Sequence, residues 1–500
     1  MFRANSKVPQ PRVGERKVTK QLAGLVDGGF EEGQYEAALA SLDQIRSPEY
    51  SPLPAHIRQA TCIALGVPPA LRASAAVPRK GAGSGASPES TPFIPDETAL
   101  RYSPLPSQQA VDVARTLLFS FAATNSPASL LRAFPNYPSN PDPSLIRGRA
   151  EGTDVDLDGD DSVIARVASL SVKSATSVWS MLRPGFVRWD IAVAEAEGKG
   201  KGTKRKPPKA KQESYEDGED FSVPVSEDAW PVLEWLVSLF ERDAETTENE
   251  GKPYYSPLLL LTIPGSRNDD PRWDAGAILD IVLLSLSQHK KQRKGSGIRL
   301  LSQLISLTST TRFDLPMFVG ALCGRVPIED WPLLQTALEY LPDKQPYLHF
   351  KLLVCIHYLG QLSRSDGPVK AKRAAPRARG ARTEEERPEG SNMGDSVVRT
   401  YAIPNWKSTV GPLVSASYKG QNNVGMYCKI KYELLVAYAS LNDHQELGGR
   451  DAGWDEELHD GSLRKTIETA FDPRLVRKKE DAEGVNLLGE LLGDILFEAK

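Results

Sequence analysis

This sequence of 500 residues contains little cysteine and no marked excess of charge of either sign. A disulfide framework or a cysteine-rich zinc site needs clustered cysteines, and the four present are far apart: Cys62, Cys323, Cys355 and Cys428. Lys and Arg number 61 against 65 Asp and Glu, so we do not expect the whole molecule to be steered toward nucleic acid or anionic lipid. The sequence predicts buried, reduced thiols, and any electrostatic role must be local.

Long apolar runs and the signatures of catalysis are also missing. A membrane-spanning helix needs about 20 successive apolar residues, and the longest apolar stretches, near 258–263 and 275–286, are shorter. The histidines form no i, i+4 pair, and no phosphate-binding loop, nucleophile elbow or dinucleotide fingerprint occurs. We therefore expect a soluble intracellular protein that is not an enzyme, binds no cofactor or metal and does not enter a membrane.

The apolar residues that are present repeat at helical spacing. Leu233, Leu236 and Phe240 occupy positions i, i+3 and i+7 of one stripe, and no alternating run of strand length competes with such stripes. The predicted fold class is all-α. The pattern predicts helices near 17–27, 34–46, 53–66, 106–123, 126–133, 162–181, 186–196, 228–242, 275–289, 298–309, 314–323, 330–341, 346–362, 424–441 and 484–498.

Two kinds of helix entrance recur along the chain. Tyr-Ser-Pro occurs at 50–52, 102–104 and 255–257, and an aspartate precedes Trp-Pro at 228–231, as Asp-Ala-Trp-Pro, and at 330–332, as Asp-Trp-Pro. Serine and aspartate oxygens cap helix N-termini, and proline suits the first helical turn. We predict that the serines and aspartates are N-caps and that the tryptophans anchor the helices. Convergent capping and a degenerate helical repeat both explain the recurrence.

One short segment near the N-terminus matches a known repeat. Gly33, Tyr35 and Ala38 follow the spacing Gly-x-Tyr-x-x-Ala, which resembles the middle of a tetratricopeptide repeat, where this segment joins two helices. The resemblance covers residues 18–66 and implies a helix hairpin there.

Segments rich in Pro, Gly or charge separate the helical blocks, and we predict that they are disordered because they cannot bury enough apolar surface to offset their ordering entropy. The inserts are 67–99, the Pro-rich and acidic loop 134–161, 197–226 and 364–398, and residues 1–16 form a basic tail. The helical blocks are 17–66, 100–196, 227–363 and 399–500. We predict irregular helical hairpins in an extended, α-solenoid-like array.

Clusters of basic residues lie within two of these inserts, where flexible exposure suits an importin groove. Residues 204–207, Lys-Arg-Lys-Pro, resemble a compact nuclear-localisation signal. A shorter third cluster lies at 290–294, and a solvated linker is the alternative. The candidate signal residues are Lys204, Arg205, Lys206, Lys209, Lys211, Lys370, Lys372 and Arg373. The sequence thus predicts nuclear residence with importin as a partner.

Ser-Pro and Thr-Pro pairs are concentrated in the first quarter of the chain, which predicts proline-directed phosphorylation there. The candidate residues are Ser47, Ser51, Ser87, Thr91 and Ser103. Ser51 and Ser103 are equally good as unmodified N-caps.

The segment 485–497 near the C-terminus is densely apolar, and helices of this kind dock in grooves. The candidate partner residues are Leu488, Leu491, Leu492, Ile495 and Phe497. Packing onto the protein's own body is the interpretation that the pattern favours over a partner protein, because such leucine patterns are common in core helices. The glycines of this segment weaken an isolated helix, so it needs some partner surface.

These features together predict a nuclear scaffold or adaptor that binds other proteins through helical surfaces. One alternative is a DNA- or chromatin-associated factor whose basic inserts contact phosphates without sequence preference. A second alternative is an enzyme of unrecognised type, because residues brought together only by folding are invisible in one sequence.

Overall fold

The computed structural model describes residues 15–67, 105–135, 171, 175–187, 223–263, 275–310, 313–363, 401–416, 424–445, 449–475 and 479–498. These residues are mostly helical, as predicted, and their strands are two short segments that pair in parallel. The described chain divides into two compact units, one formed by Met1–Pro264 with Asp280–Gly297 and the other by Gly265–Leu279 with Ile298–Lys500. The division passes through the predicted block 227–363, and the predicted block boundaries stay a prediction.

Helices dominate the described part of the first unit. Its elements are β1 (Arg16–Lys17), α1 (Lys20–Glu31), α2 (Tyr35–Gln44), β2 (Tyr50–Ser51), α3 (Pro54–Ala64), α4 (Gln108–Thr124), α5 (Pro127–Leu131), the 3-10 helices Val178–Leu182 and Glu227–Ala229, α6 (Trp230–Asn249) and α7 (Pro257–Thr262). Helices α8 (Gly276–Ser287) and α9 (Lys291–Leu307) each contribute residues to both units.

The described part of the second unit is helical as well. It continues with α10 (Leu315–Cys323), the 3-10 helix Ile328–Asp330, α11 (Trp331–Glu339), α12 (Gln345–Ser363), the π-helical turn Trp406–Val410, α13 (Gly411–Ser415), α14 (Val424–Asp443), α15 (Ala452–Asp460), α16 (Ser462–Ala470), the 3-10 helix Pro473–Leu475, α17 (Lys479–Gly493) and the π-helical turn Asp494–Glu498. None of the described helices is long and apolar enough to span a bilayer.

Helices α1 and α2, within the segment 18–66, pack against each other. Gly33 turns the chain with a positive φ of 71°, a conformation that glycine adopts without steric cost. Gly29 lets the helices approach, because a Cβ atom there would lie 3.0 Å from that of Ala38.

Two arginines fasten the start of α6 within the first unit. Arg115 of α4 donates to the backbone oxygens of Ala64 and Asp228, each at 3.0 Å. The guanidinium of Arg293 lies 4.7 Å from the centre of the Trp230 ring, a cation–π contact. The anchoring role predicted for this tryptophan is confirmed, since the side chain is buried.

An aromatic cluster lies in the core of the second unit. The Trp406 ring is 5.5 Å from Tyr438 and 4.8 Å from Trp454, measured between ring centres. Asp451 connects the same elements, because its carboxylate accepts from the Trp406 backbone N–H at 2.5 Å and from the Tyr438 hydroxyl at 2.7 Å. This cluster joins the turn before α13 to α14 and α15.

Several predicted N-caps are wrong. Ser51 is paired with Lys17 in the short parallel ladder, and the N-cap of α3 is Leu53, two residues after the predicted cap. The cap predicted at Asp228 is also wrong, because Ala229 is the N-cap of α6. Asp330 is the N-cap of α11 as predicted, but its side chain makes no capping hydrogen bond. The cap predicted at Ser256 is confirmed, since its Oγ accepts from Leu259 N–H at 3.0 Å. In these two cases, the serine before proline caps the helix at 256, whereas at 51 its backbone pairs with another strand instead.

The helix predicted at 162–181 is wrong at residues 175–177, and its other residues before 178, apart from 171, lie outside the described ones. Ser177 starts a separate 3-10 helix because its Oγ accepts from Ser180 N–H at 3.3 Å. Gly185, with φ of 70°, follows that turn. Residues 186–187 are not helical, and the rest of the helix predicted at 186–196 lies outside the described residues.

The folded segments extend into the margins of two predicted inserts. Phe134 is buried and its ring centre lies 5.7 Å from that of Trp235. Val225 is buried as well, and the next residue, Ser226, donates from its N–H to Leu182 O at 2.8 Å. Apolar residues at the ends of these inserts therefore belong to the core of the first unit.

Candidate interaction surfaces

Helix α17 packs onto the body of the second unit with one face. Val485, Leu492 and Leu496 are buried on this face at positions i, i+7 and i+11, and the helix contacts α14 and α16. Gly489 allows the close approach, because a Cβ atom there would lie 3.2 Å from that of Phe471. In the structure, one face of the segment 485–497 thus packs on the body of the second unit.

A second apolar stripe on the same helix faces away from the body. Leu487, Leu491 and Ile495 keep 55%, 40% and 44% of their surface exposed, and their i, i+4, i+8 spacing places them on one face. Among the described residues, seven large apolar side chains are exposed, and three of them are these. An exposed apolar cluster of this kind marks interaction surfaces. We call these three residues, Leu487 and Leu491 of α17 and Ile495 of the π-helical turn that continues it, the docking face.

Acidic side chains flank the docking face. Glu483, Glu490 and Asp494 are exposed, and the sequence from 482 to 498 contains no lysine or arginine. Asn486 donates to Glu490 at 2.8 Å. Within the described part of the chain, no basic side chain forms an ion pair with these three carboxylates, so the face carries a local negative charge.

The residues predicted for partner binding divide between the two faces of α17. Leu491 and Ile495 are exposed, whereas Leu492 is buried and Leu488 is half-buried. Phe497 is also half-buried, with the Arg464 guanidinium 5.1 Å from its ring centre. The prediction that Leu492 is available to a partner is therefore wrong.

Sequence reasoning missed Leu487, which is the most exposed residue of the docking face. The signal that finds it is the presence of two apolar stripes on one helix. A helix that packs on one side only needs a single stripe, so the second stripe at i, i+4 and i+8 is in excess of what the fold uses.

A shallow groove in the first unit is a second candidate surface, with a volume of about 610 Å³ between α2 and α4. Leu39 and Leu117 are buried at its floor. The carboxylates at its edges already have neighbours, because Asp43 accepts from Arg46 Nε at 2.8 Å and Asp112 from Gln108 Nε2 at 3.0 Å. The groove is lined by Leu39, Ala40, Asp43, Gln109, Asp112, Val113, Thr116, Leu117 and Ser120.

The buried ionisable groups are held by local contacts. Burial lowers the pKa of Lys431 to about 8, and its Nζ donates to Ala416 O at 2.9 Å. The Lys431 Nζ also lies 4.6 Å from the centre of the Tyr427 ring. These contacts tie α14 to the end of α13, which is a structural role.

The cysteines have surroundings that oppose a thiolate. All four are buried and form no disulfide, as predicted. Burial raises the pKa of Cys62 and of Cys323 to about 12, and a thiol needs the opposite shift to become a nucleophile near neutral pH. Among the described residues, no three His, Cys, Asp or Glu side chains are placed to hold a metal ion.

Most of the predicted signal and modification residues lie outside the described residues. These are Lys204, Arg205, Lys206, Lys209, Lys211, Lys370, Lys372, Arg373, Ser87, Thr91 and Ser103. Ser47 and Ser51 are described and half-buried, and Asn125 Nδ2 donates to Ser47 O at 3.1 Å.

The third basic cluster, at 290–294, belongs to the fold. Lys290 and Lys291 are exposed at the start of α9. Arg293 of this helix instead forms an ion pair with Glu227 as well as its contact with Trp230. The arginine of this cluster is thus engaged in the first unit, and an import role for the cluster stays a prediction.

Comparisons of the chain with protein-family models, with curated proteins and with solved structures found no match.

Proposed function

We propose that this protein is a non-enzymatic nuclear adaptor that binds another protein through the docking face of α17. The observation that carries the proposal is the exposure of Leu487, Leu491 and Ile495 on a helix whose opposite face already satisfies its packing. Helix-in-groove recognition uses apolar side chains that recur every three or four residues along one face of a helix. We also propose that irregular helical hairpins form an extended array, which offers long faces to partners.

Affinity purification with quantitative mass spectrometry tests the adaptor role. The double variant Leu491→Ala, Ile495→Ala truncates two of the three exposed side chains of the docking face, and we expect it to lose proteins that the wild-type chain retains. The matched control is Leu22→Ala, Leu25→Ala, which truncates two exposed leucines on α1. Equal retention by wild type and the docking-face variant would contradict the adaptor role of this surface.

The nuclear address is supported by the two basic clusters of the sequence. A tagged chain with Lys204, Arg205, Lys206, Lys370, Lys372 and Arg373 changed to alanine is expected to become cytoplasmic, measured by fluorescence microscopy. The control changes the exposed Lys290 and Lys291 to alanine and is expected to stay nuclear. Nuclear retention of the six-residue variant would show that the assigned signals are wrong.

A further inference from the structure

We infer that the docking face of α17 fits a protein groove that is apolar along its floor and lined by lysine or arginine at its rim. The inference rests on the proposed function and adds the chemistry of the partner. The stripe from Leu487 to Ile495 covers eight residue steps, or about 12 Å of helix at about 1.5 Å per residue. This length suits a groove that accepts two turns of a helix.

The charge around the stripe defines the rim of that groove. Glu483 and Glu490 are seven residues apart and therefore lie on the same side of the stripe, and Asp494 follows one turn later. These carboxylates lack cationic partners among the described side chains, so a partner is free to supply them. Rim charges of opposite sign speed encounter and exclude wrong partners.

The same charges disfavour two other occupants. In a pair of identical chains joined through this face, Glu490 and Asp494 of one copy approach acidic side chains of the other, and like charges in contact are unfavourable. An anionic lipid surface attracts basic segments and repels acidic ones. A basic protein groove is the occupant that satisfies both the apolar stripe and its flanks.

Two synthetic helical peptides serve as probes of this chemistry. Both carry the same leucine stripe, flanked by lysine in one and by glutamate in the other, and fluorescence anisotropy measures their binding to the purified full chain. We expect the leucine–lysine peptide to bind at least about 10-fold more tightly at low salt, because only it complements the acidic flanks. The difference should shrink as salt screens the charges.

Variants of the chain separate the apolar from the electrostatic contribution. The double variant Leu491→Ala, Ile495→Ala should bind the leucine–lysine peptide about 10-fold more weakly than wild type, or weaker still. Glu490→Lys, Asp494→Lys should reverse the preference so that the leucine–glutamate peptide binds more tightly. The matched control is Glu245→Lys, Glu248→Lys, which places the same charge change on exposed positions of α6 and should leave the preference as it is in wild type.

The outcomes test the basic rim of the partner groove and the docking face separately. If both peptides bind equally and both depend on Leu491 and Ile495, the basic rim is wrong and the docking face stands. If the alanine variant binds both peptides as wild type does, the docking face itself is wrong. If sedimentation shows self-association that the alanine variant loses, the occupant is a second copy and the inference is overturned.

Discussion

At the residue scale, Asp243 is a carboxylate whose effect on stability follows directly from its surroundings. Its carboxylate is placed between α6 and α7, where it accepts from Ser256 Oγ at 2.6 Å and from Leu258 N–H at 3.0 Å. Burial raises the pKa of Asp243 to about 6, although both hydrogen bonds favour the ionised form. The folded protein therefore holds a proton on this group more tightly than an unfolded chain does.

The raised pKa of Asp243 predicts how the free energy of unfolding changes with pH. Because the folded pKa is raised, the contribution of Asp243 is fully present below about pH 4 and is lost as the pH rises through about 6. Its size is on the order of 1–3 kcal/mol. We expect Asp243→Asn to remove this contribution, so the difference in unfolding free energy between wild type and variant should change across that range in urea denaturation.

The control for Asp243 is Glu245→Gln, which removes a carboxylate from an exposed position of the same helix. A difference between wild type and Asp243→Asn that stays constant from pH 4 to pH 7 would show that the carboxylate is not protonated on folding in the way described.

Lys431 shows what the sequence predicts about a single residue and what it does not. The residue lies four positions after Tyr427 and three before Leu434, within the apolar stripe of α14, so helical spacing alone places it on the buried face. The acceptor that makes this burial possible is the Ala416 carbonyl, which lies 15 residues earlier in the chain and carries no sequence signal of its own.

At the scale of elements, the contact between α8 and α9 depends on one glycine. A Cβ atom on Gly297 would lie 2.5 Å from Ser285 Cβ, whereas a Cβ atom on Gly295 would have nothing within 4 Å. We expect Gly297→Ala to lower the unfolding free energy by about 1–3 kcal/mol because of overpacking. Gly295→Ala, on the same helix, should raise it by up to about 1 kcal/mol because alanine favours helix.

A double-mutant cycle tests the cause. Ser285→Gly removes the atom that the new methyl group would meet, so the cost of Gly297→Ala should be smaller in that background. The measurement is urea denaturation of the four proteins. An unchanged cost in the Ser285→Gly background would exclude this contact as the reason.

Predictions of elements succeeded where a long apolar stripe ran without interruption. The helix predicted at 346–362 is observed at Gln345–Ser363, and the one predicted at 424–441 at Val424–Asp443. Helices α15 and α16 were not predicted, because each has nine residues and few apolar ones. Their place is set by Trp454 in the aromatic cluster and by Ile467 and Leu463 in the core, which are tertiary contacts.

At the scale of the whole molecule, the all-α class follows from the sequence and the division into two units does not. The helical period is a local property. The boundary at Gly297 and Ile298 falls inside α9, where neither composition nor a linker marks it. The docking face could likewise be predicted only in part. Helical spacing locates the apolar stripes, but only tertiary packing decides which stripe is covered.

Net charge sets the expected behaviour of the whole chain toward nucleic acid. With a net charge of -4, the molecule as a whole is not attracted to a polyanion, so any binding must come from local basic segments, of which the clusters in the two inserts are the densest. Phosphate contacts make affinity fall steeply with salt. We expect retention of the full chain on duplex DNA to be weak at about 150 mM salt and to change little when the clusters are replaced by alanine.

The decisive comparison is a salt titration of the full chain and of the alanine variant on the same DNA. Each phosphate that a lysine or arginine neutralises contributes about -0.9 to the slope of log affinity against log salt. A slope of several units that disappears in the variant would contradict the adaptor and favour a chromatin-associated factor. A slope near zero, with partner binding that depends on the docking face, leaves the protein surface of α17 as the feature that selects what this chain binds.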